Sequence, residues 1–357
     1  MKRFEKYKVI LTVVAAAVAV TALFFGINLV EKNLEKKAYA DSLEDEEDED
    51  DYDDEDYELS EDEIKIGNTV YRYDSDITNY LIIGTDESGD QNDGKYHGKM
   101  ADFLLLVVLN RIDNNFTFLQ IDRDTVTYVP MMNEDGSSHG GKEMQICTAH
   151  WYGGNEEQSC ENTATAVSEL LGGIPIDGYY EVNMEQIPLL NSMVGGVTVT
   201  VSSDLTAADP TLIEGEIVTL SDEQAYTYVH SRMDVADGTN TDRMRRQHEY
   251  MDAYLQKVID TTKANPNFPN EMFKKMKDYA CTNMTGNDIS RILNRISQGE
   301  NHGILTFEGA HKLGMLLDDG LEHQEFYIDY NSFLDIMTAT YHLEEVMVLT
   351  GDNNEDD

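Results

Sequence analysis

Three short, mostly apolar runs place the strongest limit on how this 357-residue chain can fold. They are Asn79–Gly84, Asp102–Leu109 and Phe116–Ile121. Apolar runs of this length without polar alternation are typical of strands buried on both faces of a sheet. Because such a sheet needs helices on both sides, the runs predict an α/β domain with a central β-sheet covered by helices.

The remaining pattern alternates between strands and helices from Ile64 onward. Strands or hairpin arms are predicted at Ile66–Tyr73, Tyr179–Val182 and Val197–Val201, and helices at Thr163–Leu171, Met184–Val194, Asp222–Ser231 and Asp242–Thr261. The signal is weaker after Thr262, where Asp288–Ser297 and Ser332–Tyr341 favour helices and Phe326–Tyr330 favours an edge strand. We therefore expect a helical C-terminal extension over residues 263–357.

The N-terminus predicts a membrane anchor. Basic residues within positions 1–8 precede an uncharged run, Val9–Val30, which is long enough to cross a bilayer as a helix. This charge bias favours a cytoplasmic N-terminus, a single membrane pass and an extracellular domain. The alternative is a secretory signal that is cleaved after Ala40, but the apolar run is long for a signal, and Glu31–Lys37 separates it from that position.

The strongly negative charge argues against nucleic acid as a partner. The net charge is −43, and Asp41–Glu63 alone holds seventeen acids and no Lys or Arg. Such a segment repels itself, so residues 31–63 are predicted to form a disordered acidic linker. We expect no nucleic acid to bind through a general electrostatic field, so a bound anion needs a local group of cations or a metal ion.

The arginines of this acidic chain are concentrated. Half of the ten lie at three places, which are Arg123, Arg232 and the group Arg243, Arg245 and Arg246. Guanidinium groups bind phosphate in a bidentate manner, so the concentration indicates a phosphate site, although each arginine alone could form a surface ion pair.

One helical face brings part of this group together. Arg243, Arg246, Gln247 and Tyr250 recur at helical spacing and share a face, whereas Arg245 points away and is expected to be a solvated surface residue.

Three carboxylates lie at the ends of the strands that the apolar runs predict. Asp86 follows the first run, Asp102 opens the second, and Asp124 lies beside Arg123 after the third. Carboxylates at adjacent strand ends can hold Mg²⁺ (or Mn²⁺) and bridge it to phosphates. The alternative is that Asp86 caps a turn and Asp102 caps a strand.

The cysteines leave two interpretations open. Cys147 and Cys160 lie in a stretch rich in Gly and Asn that favours a loop, and outside the cell a disulfide between them is plausible. The alternative is two free buried thiols. Their spacing does not match a zinc site, and Cys281 has no evident partner.

Several motifs in order resemble the LytR–CpsA–Psr family of cell-wall glycopolymer transferases. They are GTDE, KMADFLLLVVLN, FLQIDRDTVTYVP, TAHWYGG, the stretch from LLGGIPIDGYY to VGGVTVTV, and EQAYTYVHSR followed by DRMRRQ. The resemblance covers roughly Asn79 to Lys257. It implies a catalytic α/β domain over residues 64–262, with a central mixed β-sheet sandwiched by helices and a deep apolar pocket for a polyprenyl tail.

The resemblance also implies a reaction. Such enzymes transfer a glycopolymer from a polyprenyl-diphosphate carrier to a peptidoglycan sugar hydroxyl at the cytoplasmic membrane. Matched to this sequence, Asp86 and Asp102 would bind the metal, with Arg123 and Asp124 also in the catalytic group. The residues that would contact or support the diphosphate are Arg123, Arg232, Arg243, Arg246 and Gln247.

Three positions depart from the family pattern. Met100 and His230 stand where the family usually has Arg, and Asp122 stands where it usually has Pro. The departures weaken the expected binding of the diphosphate, although a protonated His230 would restore some charge. Two other functions therefore stay open. They are hydrolysis of the polyprenyl diphosphate, and a non-catalytic protein that binds lipid-linked intermediates and regulates wall synthesis or attenuates transcription.

Overall fold

The computed structural model describes residues 57–86, 98–132, 138–231, 235–236, 238, 240–317 and 319–349. The predicted transmembrane helix, residues 31–56 of the predicted linker and Arg232 lie outside these ranges. Within the described ranges, no helix has the length and apolar character needed to span a bilayer. The described residues from Glu58 onward belong to one compact unit.

The strands supply one large sheet and several small ones. They are β1 (Glu63–Ile66), β2 (Thr69–Arg72), β3 (Ile77–Thr85), β4 (Ala101–Asn110), β5 (Phe116–Ile121), β6 (Val126–Met132), β7 (Ser138–Gln145), β8 (Gly178–Asn183), β9 (Thr198–Thr200), β10 (Ile217–Thr219), β11 (Ala280–Thr282), β12 (Asn301–Thr306), β13 (Gly309–Gly314), β14 (His323–Ile328) and β15 (Glu344–Val348).

The large sheet is mixed, as the family resemblance implied. Its strand order in the described part of the chain is β11-β8-β3-β4-β5-β12. β3 pairs with β4, and β4 with β5, in antiparallel register, whereas β8 runs parallel to β3 and β12 runs parallel to β5. The three apolar runs therefore form adjacent strands at the centre of the sheet.

β4 shows why the sequence lacks polar alternation here. Leu104, Leu106 and Val108 enter the hydrophobic core on one face of the sheet. The residues between them, Leu105 and Val107 among them, enter a second core on the other face. Because both faces are covered, polar side chains at either set of positions would be buried without partners.

Helices cover the two faces of the sheet. They are α1 (Glu156–Leu170), α2 (Ile187–Met193), α3 (Asp222–His230), α4 (Asn240–Ala264), α5 (Phe268–Met276), α6 (Gly286–Ile296) and α7 (Tyr330–Tyr341), with short 3₁₀ helices at Ile146–Tyr152 and Met184–Gln186. Residues of α1 and α7 belong to the first core, and residues of α4 and α6 belong to the second.

The C-terminal segment is more than a helical extension. β11 and β12 form both edges of the central sheet, and the predicted edge strand at Phe326–Tyr330 is instead β14, which pairs with β13 in a hairpin. These strands are short and carry few consecutive apolar residues, which is why their sequence signal is weak. The hairpin of β6 and β7 was also missed, because Pro130 in β6 and the Gly140–Gly141 pair in β7 weaken a strand pattern.

α7 is anchored in the first core. Its Met337 and Tyr341 are fully buried, and the Tyr341 hydroxyl donates a hydrogen bond of 2.9 Å to Asn79 Oδ1 in β3. The last described helix is therefore fastened to the central strand that precedes Asp86.

A methionine pair tests whether this segment is part of the core. We expect Met337→Ala to lower the free energy of unfolding by about 2–5 kcal/mol because it leaves a cavity. Met315→Ala removes the same atoms from an exposed side chain and should change that free energy by less than about 0.5 kcal/mol. Chemical denaturation of both variants makes the comparison, and equal losses would contradict this packing.

Candidate active site

Three strand ends bring the predicted catalytic residues to one edge of the sheet. The pairing of Thr85 with Ala101 places Asp86 beside the start of β4, where Asp102 lies. The pairing of Leu104 with Ile121 places the end of β5, and therefore Arg123, beside the same start. Antiparallel pairing thus gathers residues that are distant in the sequence.

Arg123 is the centre of this group. Its Nη1 forms an ion pair with Asp102, and its Nε lies 3.4 Å from Asp124 Oδ1. Nη2 donates to Met100 Sδ at 3.1 Å and to Cys147 Sγ at 3.4 Å. The guanidinium is therefore held in one orientation from several sides while its side chain remains 22% exposed.

A tight turn presents Arg123. Asp122 Oδ1 accepts a hydrogen bond of 2.9 Å from the Asp124 amide, and the Asp122 carbonyl accepts one of 3.0 Å from the Thr125 amide. The other Asp122 oxygen lies 3.4 Å from His311 Nε2. The Asp122 carboxylate, which stands where the family usually has proline, therefore stabilises the turn. Burial raises the pKa of Asp122.

The pKa of Asp124 is also raised above its usual value. The main cause is burial, which disfavours the charged form, and the nearby Arg123 works in the opposite direction. A carboxyl group with a raised pKa beside an arginine is suited to accept a proton during a reaction.

His230 and Asp86 form a second contact at this edge. His230 Nε2 lies 3.5 Å from Asp86 Oδ2, and its ring stacks on Tyr226 with the ring centres 4.7 Å apart. The histidine that replaces a family arginine is therefore positioned against the first predicted metal ligand.

A polar cleft of about 340 Å³ opens next to Arg123. Arg243 and Asp124 line it together with Arg123, so two of the predicted diphosphate contacts share one cleft. The opposite side carries residues around the β13–β14 hairpin, including Leu313, Glu322 and His323. The resemblance does not extend to this hairpin, and sequence reasoning missed it.

His323 is the chemically notable residue of that wall. Its Nε2 lies 2.9 Å from Asp319 Oδ2. Its isolated position in a weakly patterned segment offered no signal in the sequence.

Two apolar cavities lie between the sheet and α4. Their volumes are about 150 and 130 Å³, and they share four wall residues. The shared residues are Ile82, Tyr180, Leu255 and Met272. Methionines also contribute to both walls, and their flexible side chains allow such a cavity to adapt to an occupant.

The apolar cavity approaches the polar group along the chain. Gly84 and Phe103 line the cavity. Gly84 lies two residues before Asp86, and Phe103 lies one residue after Asp102. A Cβ atom on Gly84 would come within 2.9 Å of Phe103 Cβ, so only glycine permits this close approach. A ligand with a polar head and an apolar tail matches this arrangement.

Two residues of α4 that were predicted to contact or support the diphosphate, Arg246 and Gln247, bond to the protein instead. Arg246 is fully buried and donates to Asp242 Oδ2 at 3.1 Å and to the carbonyl oxygens of Tyr228 and Ser231. Gln247 donates to the Val229 carbonyl at 3.2 Å. Both residues therefore cap the last turn of α3, which otherwise has unpaired carbonyls. In this structure Arg246 positions the chain that leads to Arg232, and its contact with a diphosphate stays a prediction.

The exposure of Arg245 agrees with the helical periodicity. Its side chain is 47% exposed, pairs with Asp242 and donates to the Ser202 carbonyl at 3.0 Å. Met251 and Leu255 of the same helix pack against the second core and also line the apolar cavity.

The proposed disulfide between Cys147 and Cys160 is wrong. Both thiols are free and buried, and neither lies in a loop. Cys147 belongs to the 3₁₀ helix beside Arg123, whereas Cys160 lies in α1 and contacts Glu181. Burial raises the pKa of the Cys147 thiol to about 11, so it stays protonated at neutral pH.

The donor set at the strand ends fits a hard divalent cation. Asp86 and Asp102 offer carboxylate oxygens on adjacent strands, and Mg²⁺ binds through one or two carboxylates, waters and phosphates. Of the two, Asp86 is the more open, with 44% of its side chain exposed against 13% for Asp102.

Two neighbouring arginines of α4 provide a matched test. We expect Arg246→Ala to lower the free energy of unfolding by about 3–5 kcal/mol because it leaves Asp242 and two carbonyls without their buried partner. Arg245→Ala should cost about 1 kcal/mol or less because its ion pair is exposed to solvent. Urea denaturation measures both, and a larger loss for Arg245→Ala would show that the helix face is assigned wrongly.

Comparison with known proteins agrees with the motifs. The chain is 27% identical over 186 residues to Biofilm regulatory protein A of Streptococcus mutans, covering 50% of this chain and 43% of the relative. It is 29% identical over 183 residues to the polyisoprenyl-teichoic acid–peptidoglycan teichoic acid transferase TagU of Bacillus mycoides, covering 51% and 53%. The chain thus spans about half the length of these curated relatives.

Solved structures share the fold. A Streptococcus agalactiae protein matches with a TM-score of 0.60 at 20% identity, covering 77% of this chain and 91% of that one. TagT bound to LIIa-WTA matches with a TM-score of 0.54 at 20% identity, covering 74% and 90%. The sequence profile of the LytR_cpsA_psr family matches residues 33–328. This chain therefore belongs to the LytR–CpsA–Psr family.

Proposed function

We propose that this protein transfers a cell-wall glycopolymer from a polyprenyl-diphosphate carrier to a sugar hydroxyl of peptidoglycan. The observation that carries the proposal is that α4 contributes to both environments, since Arg243 lines the polar cleft and Gln247, one turn later, lines the apolar cavity. A diphosphate joined to a long isoprenoid needs both environments. The similarity to the teichoic acid transferase TagU supports the same class of reaction.

The arginines would bind and orient the diphosphate. Arg123 and Arg243 line the cleft, and Arg232 follows directly after Ser231, whose carbonyl Arg246 holds. Guanidinium groups neutralise the charge that develops on the phosphoryl oxygens and the departing polyprenyl phosphate. Asp86 and Asp102 would hold Mg²⁺ or Mn²⁺, which supplies further charge neutralisation when bound.

Asp124 is the stronger candidate for the proton acceptor. It lines the cleft, and burial raises its pKa, whereas Asp102 is engaged in the ion pair with Arg123. The acceptor hydroxyl would lose its proton to Asp124 as its oxygen attacks the phosphorus of the sugar-linked phosphate. The bond from that phosphorus to the bridging oxygen breaks, and polyprenyl monophosphate leaves.

The site of action would be the outer face of the cytoplasmic membrane. The apolar run Val9–Val30 would serve as the anchor, and the acidic segment would separate the domain from the bilayer. The carrier lipid resides in the same membrane, so anchoring raises its local concentration at the cavity.

Product analysis tests this function. The full-length protein in detergent is incubated with a polyprenyl-diphosphate-linked saccharide, peptidoglycan fragments and Mg²⁺, and the products are identified by mass. A saccharide joined through one phosphate to the peptidoglycan sugar supports transfer. Free saccharide phosphate alone would favour hydrolysis, and binding without turnover would favour the regulatory alternative.

An arginine pair tests the diphosphate site. We expect Arg123→Ala to lower turnover by about 10³-fold, because a positioned guanidinium stabilises the charge of a phosphoryl-transfer transition state. Arg111→Ala removes an arginine from the turn at the far end of β4 and should leave turnover within about twofold. A fully active Arg123→Ala protein that retains its fold would rule out this site.

A further inference from the structure

A second group of reactive side chains lies buried behind the candidate active site. His150, Cys160 and Glu181 come from the 3₁₀ helix, α1 and β8, and each side chain is at most 2% exposed. One ligand atom from each lies within 4.8 Å of the others. The proposed transfer reaction uses none of them.

The distances match those between the ligands of one metal ion. Cys160 Sγ lies 3.8 Å from His150 Nε2 and 3.7 Å from Glu181 Oε2. In a tetrahedral zinc site with Zn–S of about 2.3 Å and Zn–N or Zn–O of about 2.1 Å, neighbouring ligand atoms are separated by about 3.6 Å. We propose that His150, Cys160 and Glu181, together with Cys281, bind a structural zinc ion.

The histidine is oriented as a ligand. His150 Nδ1 lies 3.2 Å from the Lys99 carbonyl oxygen, which can only accept, so Nδ1 carries the proton and Nε2 turns its lone pair toward Cys160. Metal-binding histidines are commonly fixed in this way by a backbone carbonyl.

The glutamate turns one of its two oxygens toward the proposed metal position. Glu181 Oε1 accepts a hydrogen bond of 2.6 Å from Thr85 Oγ1, and the Lys99 ammonium lies 3.8 Å from the same oxygen. Oε2 instead faces the Cys160 thiol. A buried carboxylate is costly without close compensation, and a divalent ion between Oε2 and Cys160 would add to what Thr85 and Lys99 provide at Oε1.

Cys281 completes the set. It lies in β11 directly opposite Glu181 in the antiparallel register, so the two side chains lie on the same face of the sheet. With both cysteines as thiolates, the two thiolates, the carboxylate, Zn²⁺ and the Lys99 ammonium together carry no net charge. Two thiolates, an imidazole and a carboxylate are ligands that zinc accepts.

The ligands are far apart in the sequence, which is why their spacing predicted no zinc site. Their neighbours connect this group to the active site. Thr85 precedes Asp86, and Lys99 precedes Met100, which contacts Arg123. A zinc ion here would fasten both strand ends to α1 and β11 without touching the substrate.

Metal analysis of the full-length protein tests the proposal. The protein is purified in detergent, dialysed against a weak chelator and analysed for zinc by mass spectrometry. We expect about one zinc per chain in the native protein. Replacement by Co²⁺ should produce the thiolate-to-cobalt charge-transfer absorption of a tetrahedral site.

Cysteine variants locate the ion. Cys281→Ser changes a partly exposed residue, so the variant should fold. Loss of a residue that only hydrogen-bonds to a metal ligand weakens metal binding by roughly 10- to 100-fold, and loss of a ligand itself should weaken zinc binding by more than that. Cys160→Ser should do the same if it folds. Cys147→Ser is the matched control, since its thiol lies outside the group, and it should retain the zinc.

Three results would overturn the proposal. The first is a folded native protein without zinc that gives no cobalt absorption. The second is zinc that Cys281→Ser retains at full affinity. The third is a native mass lower by two hydrogens with Cys160 and Cys281 unreactive toward thiol reagents, which would show a disulfide in place of the metal.

Discussion

The ion pair between Arg123 and Asp102 joins the end of β5 to the start of β4, and the proposed chemistry is organised around it. It is formed because β4 and β5 are antiparallel and in a register that brings these two ends together. Met100, Cys147 and Asp124 enclose the guanidinium on its other sides. A cation held in this way loses little freedom when a phosphate arrives, which is the condition for stabilising charge that develops during a reaction.

The same sheet explains the apolar half of the site. β4 is buried on both faces, and one face turns Phe103 and its neighbours toward α4. α4 is 25 residues long, and its buried Arg246 and Gln247 hold the end of α3 while Met251 and Leu255 line the cavity. A single helix therefore fixes the segment leading to Arg232 and forms a wall for the proposed lipid chain.

The central strands and most helices could be predicted from the sequence because their apolar patterns are strong. Local periodicity also placed Asp86, Asp102 and Arg123 at one edge and Arg245 on the surface. It failed where the deciding contacts are distant in the sequence. Arg246 shares a helical face with Arg243, but its burial depends on the carbonyls of α3, which no local pattern reveals. Likewise, only the sheet register brings Glu181 and Cys281 together. The family motifs added the reaction, which residue patterns alone did not identify.

The most direct test asks whether the polar cleft and the apolar cavity bind one ligand together. It measures the binding of a short-chain polyprenyl diphosphate to the full-length protein by calorimetry in detergent. Inorganic diphosphate and the matching prenyl alcohol serve as comparison ligands, and Met251→Trp fills the cavity without altering the arginines. The account predicts that the intact lipid diphosphate binds much more tightly than either part, and that Met251→Trp removes this advantage while leaving the affinity for inorganic diphosphate unchanged. Equal affinity for inorganic diphosphate and the lipid diphosphate, or a lipid affinity unaffected by Met251→Trp, would contradict it.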